Sequence, residues 1–223
     1  MPQTGIFFID ALTLVCIFLP LLPVVLIFFK RIYQNEALNF LMILCLLNFI
    51  KGVLIIVPGL IIINQKNIVT IFALPEFIIL LLIFRSIFFG KIKNMLTIFL
   101  IAFLSSAVTY YLLNGMAERK QTMEILQQLI IFIIAVIGLF ELINKNDMEF
   151  FSIPLSWIAI GTVFYFSISV LIKILNTLSP QLKTETNFDT QLLLNIAGFV
   201  RYLFYTFAAL SYKPKRINEE KAN

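Results

Sequence analysis

Seven long apolar runs, at positions 6–29, 37–57, 68–89, 92–113, 123–143, 152–175 and 190–210, follow one another along the chain. Polar breaks separate them: Lys30-Arg31, Pro58-Gly59 with Asn64 to Asn67, Lys91 to Asn94, Asn114 to Gln121, Asn144 to Glu149, and Asn176 to Asp189. Turn-forming and charged residues gather in these breaks, as connectors require. About 20 apolar residues in a helix cross the hydrocarbon of a bilayer. The runs are continuously apolar rather than alternating, which selects helices over the strands of a β-barrel. The pattern predicts an all-α polytopic membrane protein with seven transmembrane helices and a short basic tail over 211–223. Pro20 and Pro23 are expected to kink the first helix, because an interior proline removes a backbone donor and crowds the preceding turn. That first run lacks the basic n-region of a signal peptide and is longer than its apolar segment, so it is expected to be retained.

Composition removes whole classes of function. Of the 223 residues, 61% are hydrophobic and 13% charged, against about half and a quarter in a soluble domain. Seven spans and their connectors use up the chain and leave no soluble domain, which excludes nucleotide-binding and nucleic-acid-binding modules despite the net charge of +5. There is no histidine, which rules out serine-histidine triads, histidine-ligated haem and zinc-protease motifs. Cys16 and Cys45 lie within apolar runs and read as buried small hydrophobes rather than a redox pair. No glycine-rich phosphate loop, paired CxxC or EF-hand pattern occurs, so the sequence implies no cofactor and no metal, and no nucleophile or paired-carboxylate spacing marks an enzyme.

Basic residues set the expected orientation. With the N-terminus outside, the inner segments hold Lys30, Arg31, Arg85, Lys91, Lys93, Lys145, Lys213, Lys215, Arg216 and Lys221, against Lys66, Arg119, Lys120 and Lys183 outside. Ten against four favours an N-out, C-in protein of the inner cell membrane. The basic tail reads as a stop-transfer anchor ahead of a partner-binding arm, and the connector from Asn176 to Asp189 as a solvated loop ahead of a lid.

Within the spans, ionisable residues carry the functional signal, since a charge at a helix centre costs about 2.5–3.5 kcal/mol on insertion scales. Asp10, Lys51 and Glu76 fall in the outer halves of the first three spans, Lys173 near the outer end of the sixth, and Arg201 near the middle of the seventh. Two readings fit. In one, Asp10 and Glu76 neutralise Lys51 and Arg201 as purely structural pairs; in the other, these groups line a polar cavity that holds an ion, a proton or a small anionic molecule. Trp157, Gly161, Tyr165, Ser169 and Lys173 recur every four residues in the sixth span, and Asn195, Gly198, Arg201, Tyr202 and Tyr205 gather on one face of the seventh. Gly161 and Gly198 suit close helix packing. The hydroxyls of Tyr165, Tyr202 and Tyr205 call for partners in a shared polar core.

The stretch Asn67-Ile-Val-Thr-Ile-Phe-Ala-Leu-Pro-Glu76-Phe-Ile-Ile-Leu-Leu, then Ile153-Pro-Leu-Ser-Trp157-Ile-Ala-Ile-Gly161, Tyr165-Phe-Ser, Asn195 and Arg201-Tyr202-Leu-Phe with the basic tail, resembles a family of small seven-helix integral membrane proteins common in Bacteroidota. The resemblance covers residues 67–216. It implies the seven-helix architecture and a sensory or accessory membrane role, with Glu76 and Arg201 as matched positions and no catalytic residue or ligand to carry over. Size and topology also suit the PQ-loop sugar transporters. However, Pro2-Gln3 and Pro180-Gln181 precede the first and seventh helices rather than the first and fifth, and no internal repeat is visible. A microbial rhodopsin is disfavoured because the last span has no lysine for a retinal Schiff base.

The leading expectation is a small-ligand sensor or accessory signalling component with an outer-half pocket formed by Asp10, Lys51, Glu76, Tyr165, Lys173, Arg201, Tyr202 and Tyr205. It would act through a separate membrane or cytoplasmic partner. The alternatives are a small transporter or oligomeric channel using the same charges, and a structural or regulatory subunit of a membrane complex. The bilayer is a partner in each, and a homo-oligomer is open.

Overall fold

The computed structural model describes residues 3–56, 65–88, 90–114, 121–145, 150–178 and 187–212, with backbone alone at 3–10 and at several helix ends. The side chain of Asp10, most of the connector from Asn176 to Asp189, and tail residues 213–223 lie outside the described residues. Each apolar run contains helix: α1 (Gln3–Phe18), α2 (Leu21–Phe29), α3 (Glu36–Ile56), α4 (Gln65–Arg85), α5 (Gly90–Asn114), α6 (Gln121–Lys145), α7 (Pro154–Leu178) and α8 (Asn187–Ser211). No strand occurs among the described residues. Five helical segments are long and apolar enough to cross a membrane: Ala11–Phe29, Glu36–Ile56, Glu124–Asn144, Pro154–Leu175 and Leu192–Ser211. With large apolar side chains such as Phe29, Met95, Ile98 and Phe140 exposed on the outside, the surface matches lipid rather than water as its solvent, and the chain is a membrane protein.

Local chemistry accounts for the helix ends. The first rod is interrupted at Leu19-Pro20, between α1 and α2, where the proline effect is expected; the Leu19 amide still bonds the Val15 carbonyl and the Leu22 amide the Leu19 carbonyl, so hydrogen bonding continues across the junction. Arg31 takes φ 53° and closes α2 in the left-handed conformation. Four residues on, Asn35 Oδ1 accepts from the Leu38 amide at 3.2 Å and caps α3. Pro75, by contrast, leaves α4 helical on both sides.

Pairs of facing residues define the packing. Lys51 meets Glu76, Ser169 meets Gln128 and Lys173 meets Glu124, and Trp157 meets Phe204 and Phe207. These pairs make α6/α7 and α7/α8 antiparallel, and the meetings of Gly52 with Ile17, Phe49 with Phe18 and Gly138 with Phe84 set α3 antiparallel to α1 and the end of α4 beside the end of α6, so α3 and α4 are antiparallel as well. Thr13 meets Asn195 and Lys30 meets Ala209, so the α1–α2 rod runs parallel to α8. The helices close into a ring in the order α1–α2, α3, α4, α6, α7, α8 and back to α1–α2, while α5 stands outside and packs on α4. The Phe77 and Phe103 rings, 4.5 Å apart, seal that outer contact. Covered by α5 on one side and by the ring on the other, α4 buries Phe77, Leu80, Ile83 and Phe84 and can present Glu76 to the interior.

Gly161 sets the approach of α7 to α8: an added Cβ would lie 2.8 Å from Phe204 Cβ and 3.2 Å from the Arg201 carbonyl oxygen. Packing is therefore its role, as expected. Gly198 differs, because nothing lies within 4 Å of its added Cβ; it faces open space, and the packing role expected from small residues in helices does not apply to it. Gly161→Val should accordingly destabilise the protein by about 1–3 kcal/mol through overpacking, while Gly198→Ala should leave thermal unfolding in detergent close to wild type. Equal effects from the two would refute the close contact at Gly161.

Candidate functional site

The centre of the site is one carboxylate shared by two cations. Glu76 Oε1 accepts from Arg201 Nη1 at 2.9 Å, and Glu76 Oε2 accepts from Lys51 Nζ at 3.2 Å. The three residues come from α4, α8 and α3, so the cluster ties together the two sides of the ring. The Arg201 side chain is 2% exposed, that of Glu76 13% and that of Lys51 24%. An unpaired charge at such depth is untenable in an apolar medium, and pairing with good hydrogen-bond geometry is what permits it.

A second set of contacts fixes the guanidinium. Arg201 Nε donates to Tyr205 Oη at 2.8 Å. Tyr205 and Thr162 share a hydrogen bond of 3.0 Å, and Thr162 Oγ1 bonds the Ile158 carbonyl at 2.7 Å. Because the single Thr162 proton goes to that carbonyl, Tyr205 donates to Thr162. The chain of donors therefore runs one way, from arginine to tyrosine to threonine to backbone. Around it the rings of Tyr165, Tyr205, Phe166 and Tyr202 lie 4.7, 5.2, 5.3 and 5.8 Å from the guanidinium carbon. Cation–π attraction in a desolvated site is worth about 2 kcal/mol, and four rings leave the arginine little freedom. Among the described residues Tyr205 alone enters the network through its hydroxyl in the way expected of all three tyrosines, while Tyr165 and Tyr202 contribute their ring faces.

The sixth-span stripe lies on α7, and its residues serve different neighbours. A four-residue step on a helix turns the side chain by about 40° beyond a full turn, so five such positions sweep around the axis. Trp157 stacks near Phe204 and donates to the Phe151 carbonyl at 2.8 Å. Gly161 admits α8, and Tyr165 covers Arg201. Further along, Ser169 donates to Gln128 at 2.9 Å and Lys173 pairs with Glu124 at 2.8 Å, both on α6. The drift hands the stripe from α8 to α6.

Two cavities flank the cluster. The first, of about 220 Å³, lies between α3, α4, α6, α7 and α8 and is walled by Lys51, Glu76, Glu124, Gln127, Gln128 and Lys173, among others. The second, of about 270 Å³, lies between α1, α3, α7 and α8, with Asn48, Lys51, Asn195, Gly198, Arg201 and Tyr202 in its wall. Lys51, Tyr165 and Leu194 border both. The helix directions put the cluster and the first cavity in the half of the bundle where α3 and α7 end and α4, α6 and α8 begin. At the opposite end Lys30 Nζ donates to the carbonyls of Ala209 and Leu210 and ties α2 to the end of α8.

Seven of the eight residues expected in the pocket lie at the cluster or the cavities: Lys51, Glu76, Tyr165, Lys173, Arg201, Tyr202 and Tyr205. Asp10 lies outside the described side chains. Sequence reasoning missed Glu124, Gln127 and Gln128, which follow a helical spacing on one face at the start of α6 and were hidden by their nearness to a polar connector. It also missed Thr13, whose hydroxyl accepts from Asn195 at 2.9 Å, and Thr162. Lone hydroxyls in apolar helices usually bond their own backbone, and no local signal distinguishes these. No group of metal-binding side chains occurs among the described residues. Compared with protein-family models, with curated proteins and with solved structures, the chain matches none.

Glu76→Gln removes the counter-charge of both cations and should destabilise the protein by about 3–5 kcal/mol, the cost of leaving a buried charge unpaired. Lys51→Gln should cost less, because Arg201 still holds the carboxylate and Lys51 is nearer water. Thermal unfolding of both variants in one detergent gives the order, and a larger loss in Lys51→Gln would contradict the shared-carboxylate geometry.

Proposed function

We propose that the chain is a seven-crossing, N-out, C-in protein of the inner cell membrane that senses a small molecule, or serves as the accessory ligand-binding component of a signalling assembly, and passes the bound state to a separate partner. One observation carries this reading: a deeply buried Arg201–Glu76 pair stands between two cavities inside a closed ring of helices. A pair needed for packing alone has no use for open space on two sides, and polar groups converging on a cavity are the usual form of a small-molecule site. The ring is built almost wholly of helices and holds no effector domain among the described residues, so a response has to leave through a partner. The α4, α7 and α8 helices run unbroken past the cluster. Among the described residues none of the three cluster residues lies on a discontinuous helix of the kind that marks the midplane sites of many transporters, the one break near a cavity being that between α1 and α2, which favours sensing over transport. The signal would be a shift between two helix packings, driven by a ligand that discriminates between them.

The resemblance to the Bacteroidota seven-helix proteins belongs with this proposal, as does the orientation. Tags at both termini test the latter: the C-terminal tag should be protected from reagent added to intact cells and the N-terminal tag labelled, and the reverse would overturn N-out, C-in. Complementation tests the role. Arg201→Lys keeps charge but loses the forked geometry that meets Glu76 and Tyr205 together; if correctly inserted, it should fail to restore a deletion phenotype. Purification of the tagged protein from its native membrane in mild detergent should retain a partner bearing a soluble domain. Full complementation by Arg201→Lys together with recovery of a lone chain would sink the sensor reading.

A further inference from the structure

We propose that the second cavity is an oxyanion site, taking the carboxylate or phosphate group of a small, singly charged molecule between Lys51 and Arg201. This rests on the ligand-binding reading above and names the class of ligand. The argument begins with charge. Among the described residues Glu76 is one carboxylate against two cations, so that set keeps one positive charge in a setting that penalises any net charge. The first cavity contains its own balance, with Glu76 and Glu124 facing Lys51 and Lys173. The second is bordered by Lys51 and Arg201 and by no carboxylate among its described lining residues. A single negative charge placed there would bring the cluster to neutrality.

Hydrogen bonding points the same way. Arg201 donates through Nε to Tyr205 and through Nη1 to Glu76, while its buried Nη2 has no hydrogen-bond partner among the described residues. A buried guanidinium nitrogen left unsatisfied is costly; Nη2 is itself closed to solvent while Arg201 lines the cavity, so a carboxylate or phosphate oxygen drawn against the guanidinium there would be its best complement. Asn48, also in the cavity wall, uses one amide hydrogen on the Leu44 carbonyl at 3.0 Å and has a second to give. The aromatic cage holds the guanidinium in place before any ligand arrives, which lowers the ordering cost of binding. At about 270 Å³ the space falls below the roughly 300–1,000 Å³ of sites for drug-sized ligands and suits a molecule of a few heavy atoms around the charged group.

The test uses the full-length protein in phosphatidylcholine nanodiscs, with thermal unfolding followed as potassium chloride is replaced at constant ionic strength by phosphate or lactate, and with choline chloride as the cationic control. Either oxyanion should raise Tm by about 2–4 °C when present at about five times its Kd. Lys51→Gln should weaken that binding by about tenfold or more. Gly198→Leu, whose side chain enters the open space beside the glycine, should abolish the shift while leaving the ionic cluster intact. If phosphatidylglycerol in the disc produces a shift that both variants remove, and free phosphate and lactate do not, the oxyanion is a lipid headgroup and the site stands. Stabilisation by choline alone overturns the oxyanion assignment while leaving a ligand-binding protein. Oxyanion shifts equal in wild type and both variants place binding elsewhere and overturn the site. No shift with any probe overturns both.

Discussion

A carboxylate in an apolar bundle can exist as an ion only where cations reach it, and in this protein the burial of Glu76 governs the arrangement of the ring. Its two oxygens take Lys51 from the neighbouring α3 and Arg201 from α8 across the ring, so α3, α4 and α8 must meet at a single depth and with a single rotation about each axis. Slippage of any one by a turn would leave at least one charge without a partner, at a cost of several kcal/mol. Leucine-rich helix faces tolerate many packings with nearly equal energy, because lipid tails are as apolar as the helices themselves. The ionic cluster discriminates among those packings far more sharply than the surrounding aliphatic contacts can.

The other elements are arranged in ways that make this cluster affordable. Stationed outside the ring, α5 shields the far side of α4 through Phe103, which allows the helix bearing the buried acid to be apolar on its outer face. The absence of a Cβ at Gly161 brings α7 close enough for Tyr165 to cover the guanidinium and for Thr162 to receive the Tyr205 proton. At the far end, Lys30 anchors the terminal carbonyls of α8, so the helix that carries Arg201 is held at its middle and at its end. The result is a rigid cation in a dry aromatic cage with space beside it, a geometry suited to recognising charge without first having to organise itself.

The two cavities are chemically distinct although they share Lys51. One is self-neutralised and rimmed by amides from α6; the other is cationic and bordered by Asn48, Asn195 and Tyr202. A ligand that draws Lys51 toward the cationic side would loosen its hold on Glu76 and so change the contact between α3 and α4. Coupling of this kind needs no hinge and no broken helix. It needs only that a single lysine has two places to put its charge, and that the helices respond to which one it occupies.

Much of this was legible along the chain. Seven apolar runs, the break at Pro20, the polar faces of the sixth and seventh spans, and the choice of Glu76 and Arg201 as charges needing partners all follow from composition and helical period, because the cost of burying charge and the 3.6-residue turn act locally. Other features were not: that Glu76 serves two cations at once, that Tyr165 offers its ring rather than its hydroxyl, that Gly198 borders space while Gly161 closes it, and that Glu124 and the α6 glutamines belong to the site. Periodicity tells which residues share a face of one helix but not which helix that face meets. Neighbour order, axial rotation and relative depth arise from contacts between residues as far apart as Lys30 and Ala209, and those are set only when the ring closes.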